Sequence, residues 1–305
     1  MNQSFVAKSG RVAVLGCGYV GGRVVRQALA RGMRVSALTS NRVKADELAK
    51  QKGVDAVCSE LESDDWHGEI DPVQDLVLNC VSSRSGGLEG YRRSYLEGQE
   101  SINRWLAGGR ARVLVYTGSI GVYPQDDGGR VDETAPVGGR SEYADLLVGA
   151  EKKVLEGPGT AERRYVLRLA GIYGPGRHYL LDRILAGDGA LPGDREGIMN
   201  AIHVEDVCRA VWSVFDGARP GTDGVYNVVD DCPEERGRVA EWLAMRSGRE
   251  TPRFDPDLSG PRSGKRGRRA RKRRIANDKL KRTFEWSPLY PSYREGYEAL
   301  LKRLA

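Results

Sequence analysis

Short apolar runs alternate with amphipathic segments along the chain as far as Leu169. The runs are rich in Val, Leu and Ala, as strands are when both faces of a parallel sheet are buried. The amphipathic segments carry apolar residues three and four positions apart, which is typical of one face of a helix. The runs predict strands at Arg11–Leu15, Arg34–Leu38, Val54–Val57, Asp75–Val81, Arg112–Tyr116 and Tyr165–Leu169.

The segments between these strands predict helices. The first opens at the glycines after the first strand and is closed by Gly32, and the others are Val43–Lys50, Tyr91–Ala107 and Tyr143–Glu156. Strands that alternate with helices indicate an α/β fold with a Rossmann-type doubly wound parallel sheet. Beyond residue 174 the alternation gives way to short elements separated by Gly and Pro, which predicts a small C-terminal lobe.

The first predicted strand ends in the sequence GCGYVG, which matches G-x-G-x-x-G and opens a helix. In this setting Gly16 permits the tight turn, Gly18 lets the backbone approach a pyrophosphate, and Gly21 lets the helix pack closely on the strand. The helix N-terminus offers unpaired N–H groups to the phosphates. We therefore expect this turn, with Tyr19 and Val20, to bind a dinucleotide.

The residues after the second predicted strand bear on the choice between NAD(H) and NADP(H). An NAD-preferring site places Asp or Glu there to accept a hydrogen bond from the ribose 2′-hydroxyl. This chain has Thr39, Ser40, Asn41 and Arg42 instead. A guanidinium and small hydroxyl groups suit a 2′-phosphate, so the sequence favours NADP(H) over NAD(H). The alternative is that Arg42 is a solvated loop residue.

Five motifs in order resemble those of the extended short-chain dehydrogenase/reductases, the NAD-dependent epimerase/dehydratase family. The resemblance covers roughly residues 11 to 303, and the motifs are Tyr116–Pro124, Arg168–Gly176, Asn200–Val207, Arg274–Leu280 and Tyr290–Gly296. It implies an NAD(P)-binding Rossmann domain over residues 9–174 and a C-terminal substrate lobe over residues 175–305. It also implies hydride exchange with a hydroxyl-bearing or carbonyl carbon, on a substrate such as a nucleotide sugar.

The resemblance also assigns the catalytic residues, with one departure. Ser119 falls on the family's serine, and Tyr143 falls on the tyrosine of its Tyr-x-x-x-Lys pattern. The lysine position holds Leu147, which can neither bind a ribose nor stabilise a phenolate. An ordinary phenol has a pKa of about 10 and is a poor base at neutral pH. Lys152 and Lys153 lie nine and ten residues after Tyr143, away from its face of the helix.

This departure makes the chain an atypical member and leaves three interpretations open. In the first, the protein is an active enzyme in which another group replaces the lysine. In the second, it is a catalytically weak or inactive protein that binds NADP(H) as a sensor or scaffold. In the third, the register of the helix is misplaced, so that Leu147 does not stand at the lysine position. Tyr143 is then either a general acid/base or a tyrosine of the core or of an interface.

Position along the predicted fold suggests further contacts. Strand ends at the carboxyl edge of a doubly wound sheet are where ligands bind. The remaining candidate cofactor contacts are Glu60, Leu61, Cys80, Val81, Thr117, Ala170, Gly171 and Ile172. The candidate substrate contacts, which the resemblance places in the C-terminal lobe, are Arg177, His178 and Asn200.

Charge is concentrated in one segment. The chain has a formal net charge of +6, but nine basic residues and no acidic one lie between Arg262 and Arg274. Without that stretch the net charge is −3, so the protein is not basic on every face. The stretch can be a solvated loop, or one or two of its arginines can serve a phosphorylated substrate. Nucleic-acid binding is the least favoured reading, because no aromatic residue interrupts the run.

Composition excludes several other classes. No apolar run approaches the ~18 residues that span a bilayer, and neither the five scattered cysteines nor the three histidines have zinc-ligand spacing. We expect a cytoplasmic protein without a metal. A homodimer is plausible, because in the family the helices around Tyr91–Ala107 and Tyr143–Glu156 often pair with those of a partner.

Overall fold

A computed structural model describes residues 10–83, 87–157, 160–258 and 271–304 of the chain. Most of the basic stretch, Arg262–Ala270, lies outside the described residues. The predicted α/β fold is confirmed, because a seven-stranded parallel sheet forms the centre of the fold. Its strands lie in the order Val54–Cys58, Arg34–Thr39, Arg11–Leu15, Val73–Asn79, Arg110–Ser119, Ala161–Leu169 and Gly224–Val228.

The sheet is built around the buried first strand. Its seven strands are β1 (Arg11–Leu15), β2 (Arg34–Thr39), β3 (Val54–Cys58), β4 (Val73–Asn79), β5 (Arg110–Ser119), β7 (Ala161–Leu169) and β12 (Gly224–Val228). The strand β1 pairs in parallel with β2 on one side and with β4 on the other. The chain therefore reverses its direction of winding at β1, and in such sheets ligands bind at this point, beyond the carboxyl ends of the strands.

Helices connect the strands because their apolar residues recur on one face. In α1, for example, Val24, Val25 and Ala28 are buried. The helices are α1 (Gly21–Ala30), α2 (Arg42–Ala49), α3 (Leu88–Tyr91), α4 (Gly98–Ala107), α5 (Glu142–Leu155), α6 (Tyr179–Leu185), α7 (Val204–Asp216), α8 (Arg236–Ser247), α9 (Asp278–Phe284) and α10 (Tyr293–Leu304).

Short strands complete the described secondary structure. They are β6 (Arg130–Val131), β8 (Gly171–Tyr173), β9 (Ala190–Pro192), β10 (Ile198–Met199), β11 (Ala201–His203), β13 (Glu234–Glu235), β14 (Arg253–Asp255) and β15 (Arg274–Ile275). They form two-stranded pairs, of which β8 with β11, β9 with β14 and β6 with β15 are parallel, whereas β10 with β13 is antiparallel.

One predicted helix is interrupted. The segment predicted as Tyr91–Ala107 contains α3, then the π-helical turn Arg92–Glu97, then α4. A π-helical turn adds a residue to the helix and turns the following side chains to new directions, and such turns are frequent at functional sites.

The described residues group into two compact units that interleave along the chain. The first unit contains the residues up to Val122, together with Val137–Arg168 and Val211–Val225. The second contains Tyr123–Pro136, Leu169–Ala210 and the residues from Tyr226 onward. Each unit has a hydrophobic core of its own. The contiguous division at residue 174 stays a prediction.

Candidate functional site

The glycine turn after β1 has a different steric requirement at each glycine. Gly16 has a φ of +100°, and a Cβ there would lie 2.7 Å from the backbone nitrogen of Val81. A Cβ on Gly21 would lie 2.2 Å from the carbonyl oxygen of Gly16. By contrast, a Cβ on Gly18 would have no atom within 4 Å. Packing alone therefore requires two of these glycines, whereas the third keeps an open surface, as a site for a bound group needs.

The N-terminus of α1 faces the same turn without a side-chain cap. Its N-cap residue is Val20, whose side chain accepts no hydrogen bond. Arg23 donates from Nη1 to the carbonyl oxygen of Tyr19 at 2.8 Å, and its guanidinium lies 4.2 Å from the centre of the Tyr19 ring. The first N–H groups of a helix attract anions, so this end can hold a pyrophosphate.

A cavity of about 310 Å³ lies against the turn. It collects nine of the predicted cofactor residues from the ends of β1, β2, β3 and β4. Its lining residues are Gly16, Cys17, Gly18, Leu38, Thr39, Ser40, Asn41, Lys44, Ser59, Glu60, Leu61, Glu62, Cys80, Val81, Ser82, Gly90, Arg93 and Ser94. Among the described residues this lining omits Tyr19, Val20, Gly21, Arg42 and Thr117, which were predicted with them.

The basic residue beside the end of β2 is not the predicted one. Arg42 is exposed and lies 3.8 Å from Asp46, on the solvent side of α2. Lys44, one half-turn further along, is half-buried and lines the cavity. The side chain of Asn41 accepts a hydrogen bond from the Lys44 backbone nitrogen at 3.0 Å and so caps α2. Cap geometry thus decides which cation reaches the cavity, and the sequence pattern alone did not reveal Lys44.

Two further charged residues of the lining escaped sequence reasoning. Arg93, in the π-helical turn, donates from Nη2 to Oε1 of Glu62 at 2.5 Å. Glu62 follows β3, so the two residues come from segments on different sides of the cavity. No sequence motif predicts them, because the direction in which a helical segment presents a side chain such as that of Arg93 has no local sequence signature.

The thiols of Cys17 and Cys80, at the glycine turn, have structural rather than reactive roles. Burial raises the pKa of the Cys17 thiol to about 12, and the nearby Lys44 ammonium only partly opposes this rise. The Cys80 thiol donates to the carbonyl oxygen of Gly16 at 3.0 Å. All five cysteines of the chain are free, and these two fix the glycine turn by packing and hydrogen bonding.

Ser119 ends β5 beside an apolar neighbour. Its Oγ accepts a hydrogen bond from the backbone nitrogen of Gly121 at 3.0 Å. A Cβ on Gly121 would lie 3.1 Å from that Oγ and 3.8 Å from Cδ1 of Leu147. The buried leucine of α5 therefore occupies the neighbourhood of Ser119. Thr117, two residues earlier, donates from Oγ1 to the carbonyl oxygen of Asn79 at 3.3 Å.

Tyr143 opens α5 on the same side of the sheet and has aromatic neighbours. Its ring meets the ring of Tyr91 edge-on, with 4.8 Å between the centroids. Tyr91 in turn lies 5.1 Å from Tyr95, whose hydroxyl accepts a hydrogen bond from the Ser83 backbone nitrogen at 3.2 Å. The phenol that the sequence predicts as acid or base is thus held by other tyrosines in a sterically defined position.

A buried ion pair lies beneath these residues. Arg168 of β7 donates to Glu151 of α5 at 2.9 and 2.6 Å, and each side chain is 5% exposed. Burial raises the pKa of Glu151, and the hydrogen bonds from Arg168 oppose that rise. A Cβ on Gly118 would lie 3.3 Å from Glu151 Oε1. The pair therefore joins α5 and β7 directly under the strand end that carries Ser119.

The other predicted residues belong to the second unit. Ala170 follows β7, and Gly171 and Ile172 lie in β8. Asn200 donates to the carbonyl oxygen of Arg273 at 3.0 Å and accepts from the Ile275 nitrogen at 2.8 Å, so its amide ties two segments together.

The remaining residues of the predicted substrate site lie at the start of α6. His178 lies 2.7 Å from Asp182, one turn into that helix. Arg177 pairs through its backbone with Gly174. Their roles as substrate contacts stay predictions.

The described end of the basic stretch is part of the second unit. Arg273 is 3% exposed and donates from Nη1 to the carbonyl oxygen of Tyr123 at 2.8 Å. Lys272 lies 2.7 Å from Glu196. Both of these basic side chains therefore have protein partners.

The described ranges contain neither a metal-binding cluster nor a membrane-spanning helix. No three His, Cys, Asp or Glu side chains in them are placed to hold a metal ion. In the same ranges no helix is both long and apolar enough to cross a membrane.

Comparison with known proteins agrees with this geometry. Residues 12–228 match the model of the NAD-dependent epimerase/dehydratase family. Escherichia coli protein YeeZ is 31% identical over 257 residues, covering 81% of this chain and 88% of that protein. A 3-diazoavenalumate denitrifying reductase from a Streptomyces species is 32% identical over 142 residues, covering 43% of this chain and 45% of that protein.

A solved structure extends the match to the whole fold. MoeE5 in complex with UDP-glucose and NAD has a TM-score of 0.79 at 19% identity, covering 97% of this chain and 100% of that chain. The identity is low, so this likeness concerns the fold. Together with the family match, the glycine turn and the strand order, it leads to one assignment: this chain belongs to the NAD-dependent epimerase/dehydratase family.

Proposed function

We propose that the protein is an NADP(H)-dependent oxidoreductase that transfers hydride between the nicotinamide and a hydroxyl-bearing or carbonyl carbon. The observation that carries this proposal is the cavity at the glycine turn, with an uncapped helix end on one side and open space at Gly18. Gly16 and Gly18 would hold the pyrophosphate through the backbone of the turn that leads into α1. When bound, the cofactor supplies or accepts the hydride.

The preference for NADP(H) rests on charge at the end of β2. Thr39, Ser40 and Asn41 line the cavity there, and Lys44 adds an ammonium group. A 2′-phosphate would gain a cation partner, whereas a 2′-hydroxyl would find no carboxylate in this segment. In the proposed complex Lys44 takes the role that the sequence suggested for Arg42.

The arrangement at Ser119 and Tyr143 favours reduction. Ser119 would donate its hydroxyl proton to the reacting oxygen, and Tyr143 would exchange a proton with it. Leu147 brings no cation that would stabilise a phenolate during that exchange. Tyr143 is therefore proposed to give its proton to a reduced carbonyl rather than to take one from an alcohol.

The substrate is proposed to be a small molecule, phosphorylated or linked to a nucleotide. MoeE5, which shares the fold, binds UDP-glucose. Arg177 and His178 are the candidate contacts whose side chains could turn to such a ligand. The amide of Asn200 already serves two backbone groups, so it would help indirectly by holding its segment.

Titration with NADPH and NADH tests the cofactor assignment. NADPH fluorescence should report micromolar binding, and NADH should bind more weakly. Lys44→Gln should weaken NADPH about tenfold, since a charged hydrogen bond contributes about 1.5 kcal/mol or more, and should leave NADH nearly unchanged. Arg42→Gln is the matched control. If neither dinucleotide binds below millimolar concentration, the proposed function is wrong.

The competing candidate is an NADP(H)-binding sensor or scaffold without turnover, and Leu147 is the observation that favours it. Leu147→Lys distinguishes the two, with Leu147→Met as the control for packing. An enzyme that works as an acid should reduce a reactive dicarbonyl such as phenanthrenequinone before the change and should lose that activity in Tyr143→Phe. A sensor should bind NADPH and show no Tyr143-dependent turnover in any of the variants.

A homodimer is proposed through the outer face of α3, the π-helical turn and α5. A second cavity of about 290 Å³ lies there, with Leu88, Leu96 and Leu146 among its lining residues. Arg92 lies on one side and the acidic Glu142 and Asp145 on the other. Two copies related by a twofold axis would bring Arg92 of each to the acidic side of the other. Light scattering of wild type and Leu146→Glu should show a dimer and a monomer.

The protein is proposed to work in the cytoplasm. All five cysteines are free thiols, and disulfides are rare in that reducing compartment.

A further inference from the structure

Two cations line the dinucleotide cavity from different elements. Lys44 belongs to α2, which follows β2, and Arg93 belongs to the π-helical turn, which follows β4. Arg93 binds Glu62, which follows β3, and β3 is the neighbour of β2 in the sheet. The ion pair therefore holds the Arg93 guanidinium at the segment after β3, next to the end of β2, where the proposed function places the 2′-phosphate.

Arg93 shares with its neighbours the face of the helical segment that lines the cavity. Gly90, Arg93 and Ser94 line this cavity, at spacings of three and four. Arg92, the adjacent arginine, lines the second cavity on the outer face and lies 3.8 Å from Glu89. The two arginines thus point to different faces of one helical segment.

The present partner of Arg93 is a carboxylate of the same cavity. Glu62 accepts its hydrogen bond at 2.5 Å, while the Arg93 side chain is 52% exposed. Glu60 and Glu89 also act on Arg93 through their charge. The Glu62 side chain is 16% exposed, so water reaches this ion pair mainly from the Arg93 side, where it weakens the contribution of the pair to stability.

We propose that Arg93 is a phosphate-binding residue of this cavity, held by Glu62 until a dinucleotide with a 2′-phosphate takes the place of that carboxylate. The proposal rests on the proposed function, which puts the dinucleotide in this cavity. A phosphomonoester carries more charge than a carboxylate and offers three acceptor oxygens to the guanidinium fork. Exchanging Glu62 for the phosphate therefore strengthens the bond that Arg93 makes.

The proposal predicts opposite effects for the two partners. Removing the cation in Arg93→Gln should weaken NADPH binding about tenfold and change NADH binding less than about twofold. Removing the competing charge in Glu62→Gln should tighten NADPH binding about two- to fivefold, because Arg93 no longer has to leave a carboxylate. A purely structural tie between Arg93 and Glu62 would instead weaken both dinucleotides in both variants.

The experiment measures NADPH and NADH dissociation constants for the full chain by fluorescence titration, with thermal unfolding of each variant. Arg92→Gln is the matched control, since it removes the adjacent arginine, which lines the second cavity instead. This control should leave both affinities unchanged. Raising the salt concentration should weaken NADPH binding less in Arg93→Gln than in wild type, because one phosphate contact is missing.

Three results separate the possible failures. Equal losses for NADPH and NADH in Arg93→Gln, or no loss for either, would overturn the role of Arg93 while leaving the cavity as the cofactor site. Weaker NADPH binding in Glu62→Gln would overturn the proposed replacement of Glu62 by the 2′-phosphate. If wild type binds neither dinucleotide, the proposed function itself fails.

Discussion

Gly18 and Gly21 are three residues apart in one turn, yet they are required for different reasons. A side chain on Gly21 would collide with the carbonyl oxygen of Gly16 at 2.2 Å, whereas a side chain on Gly18 would enter open space. Gly21 is therefore needed for folding, and Gly18 is needed only if something approaches its backbone.

A matched pair of substitutions tests this distinction. Gly21→Ala should lower the free energy of unfolding by at least about 2 kcal/mol, because the helix must move off the strand. Gly18→Ala should change it by less than about 1 kcal/mol and still weaken NADPH binding at least about tenfold. Urea unfolding and fluorescence titration measure the two quantities. Unchanged NADPH affinity in Gly18→Ala would show that no ligand approaches this backbone.

Asp230, in the core of the second unit, is a buried carboxyl group with incomplete hydrogen bonding. Its Oδ1 accepts from the Cys232 nitrogen at 3.1 Å, but its buried Oδ2 has no hydrogen-bond partner among the described residues. Burial raises the pKa of Asp230 well above its ordinary value, and the charges of Asp231, Asp206 and Glu295 reinforce the rise. The native protein therefore holds this proton more tightly than the unfolded chain does.

The raised pKa of Asp230 predicts the direction in which the free energy of unfolding changes with pH. Protonated Asp230 contributes its full stability below a pH of about 4, the pKa of an aspartate in the unfolded chain. This contribution should be lost as the pH rises through the raised pKa of Asp230 in the native protein. Asp230→Asn should remove that part of the pH dependence and be more stable at pH 8 by about 1–3 kcal/mol. The control Asp216→Asn breaks an exposed ion pair with Arg31 and should keep the slope. Identical slopes for wild type and Asp230→Asn would contradict the assignment.

At the scale of elements, the helix α5 and the strand β7 are joined by a buried ion pair. Glu151 and Arg168 are each 5% exposed, so each needs the other to offset the cost of burying its charge. Their geometry fixes α5, which carries Tyr143, against the strand layer that ends in Ser119. The site thus depends on this pair even though neither member lines the cavity.

Removing one partner should therefore cost more than removing both. Arg168→Met should lower the free energy of unfolding by about 3–5 kcal/mol, since it leaves a buried carboxylate unpaired. The double variant Glu151→Leu with Arg168→Met should recover a large part of that loss. Denaturant unfolding of the two single variants and the double variant gives the coupling. Additive losses would mean that the pair contributes no coupling energy.

At the scale of the whole molecule, the described residues form two units with separate cores, and the dinucleotide cavity belongs to the first. The cavity at the glycine turn is lined entirely by residues of the first unit. The helices α8 and α10 contribute to the core of the second unit.

Hydrogen exchange tests this division. Saturating NADPH should slow exchange in the turns after β1, β2, β3 and β4, because bound ligand suppresses their local opening. Amides of α8 and α10 should keep their exchange rates. Protection confined to the second unit would place the dinucleotide elsewhere and contradict the proposed site.

Local sequence determined much of this protein. The apolar runs predicted six of the seven strands of the central sheet, because burial on both faces leaves a continuous hydrophobic signal. The seventh, β12, was not predicted, since it lies in the region where Gly and Pro obscure the pattern. The glycine turn was readable because each of its constraints acts within a few residues of β1.

Tertiary structure alone decided which charges reach the cavity. Lys44 lines it while Arg42 faces solvent, because the cap at Asn41 sets the phase of α2. Arg93 lines it as well, and its partner Glu62 is 31 residues away in sequence. Periodicity in a sequence records which face of an element is buried, but the direction of a polar side chain depends on backbone phase and on partners from distant segments. The sequence thus determined the fold and the glycine turn, and only the folded chain determined the charges around them.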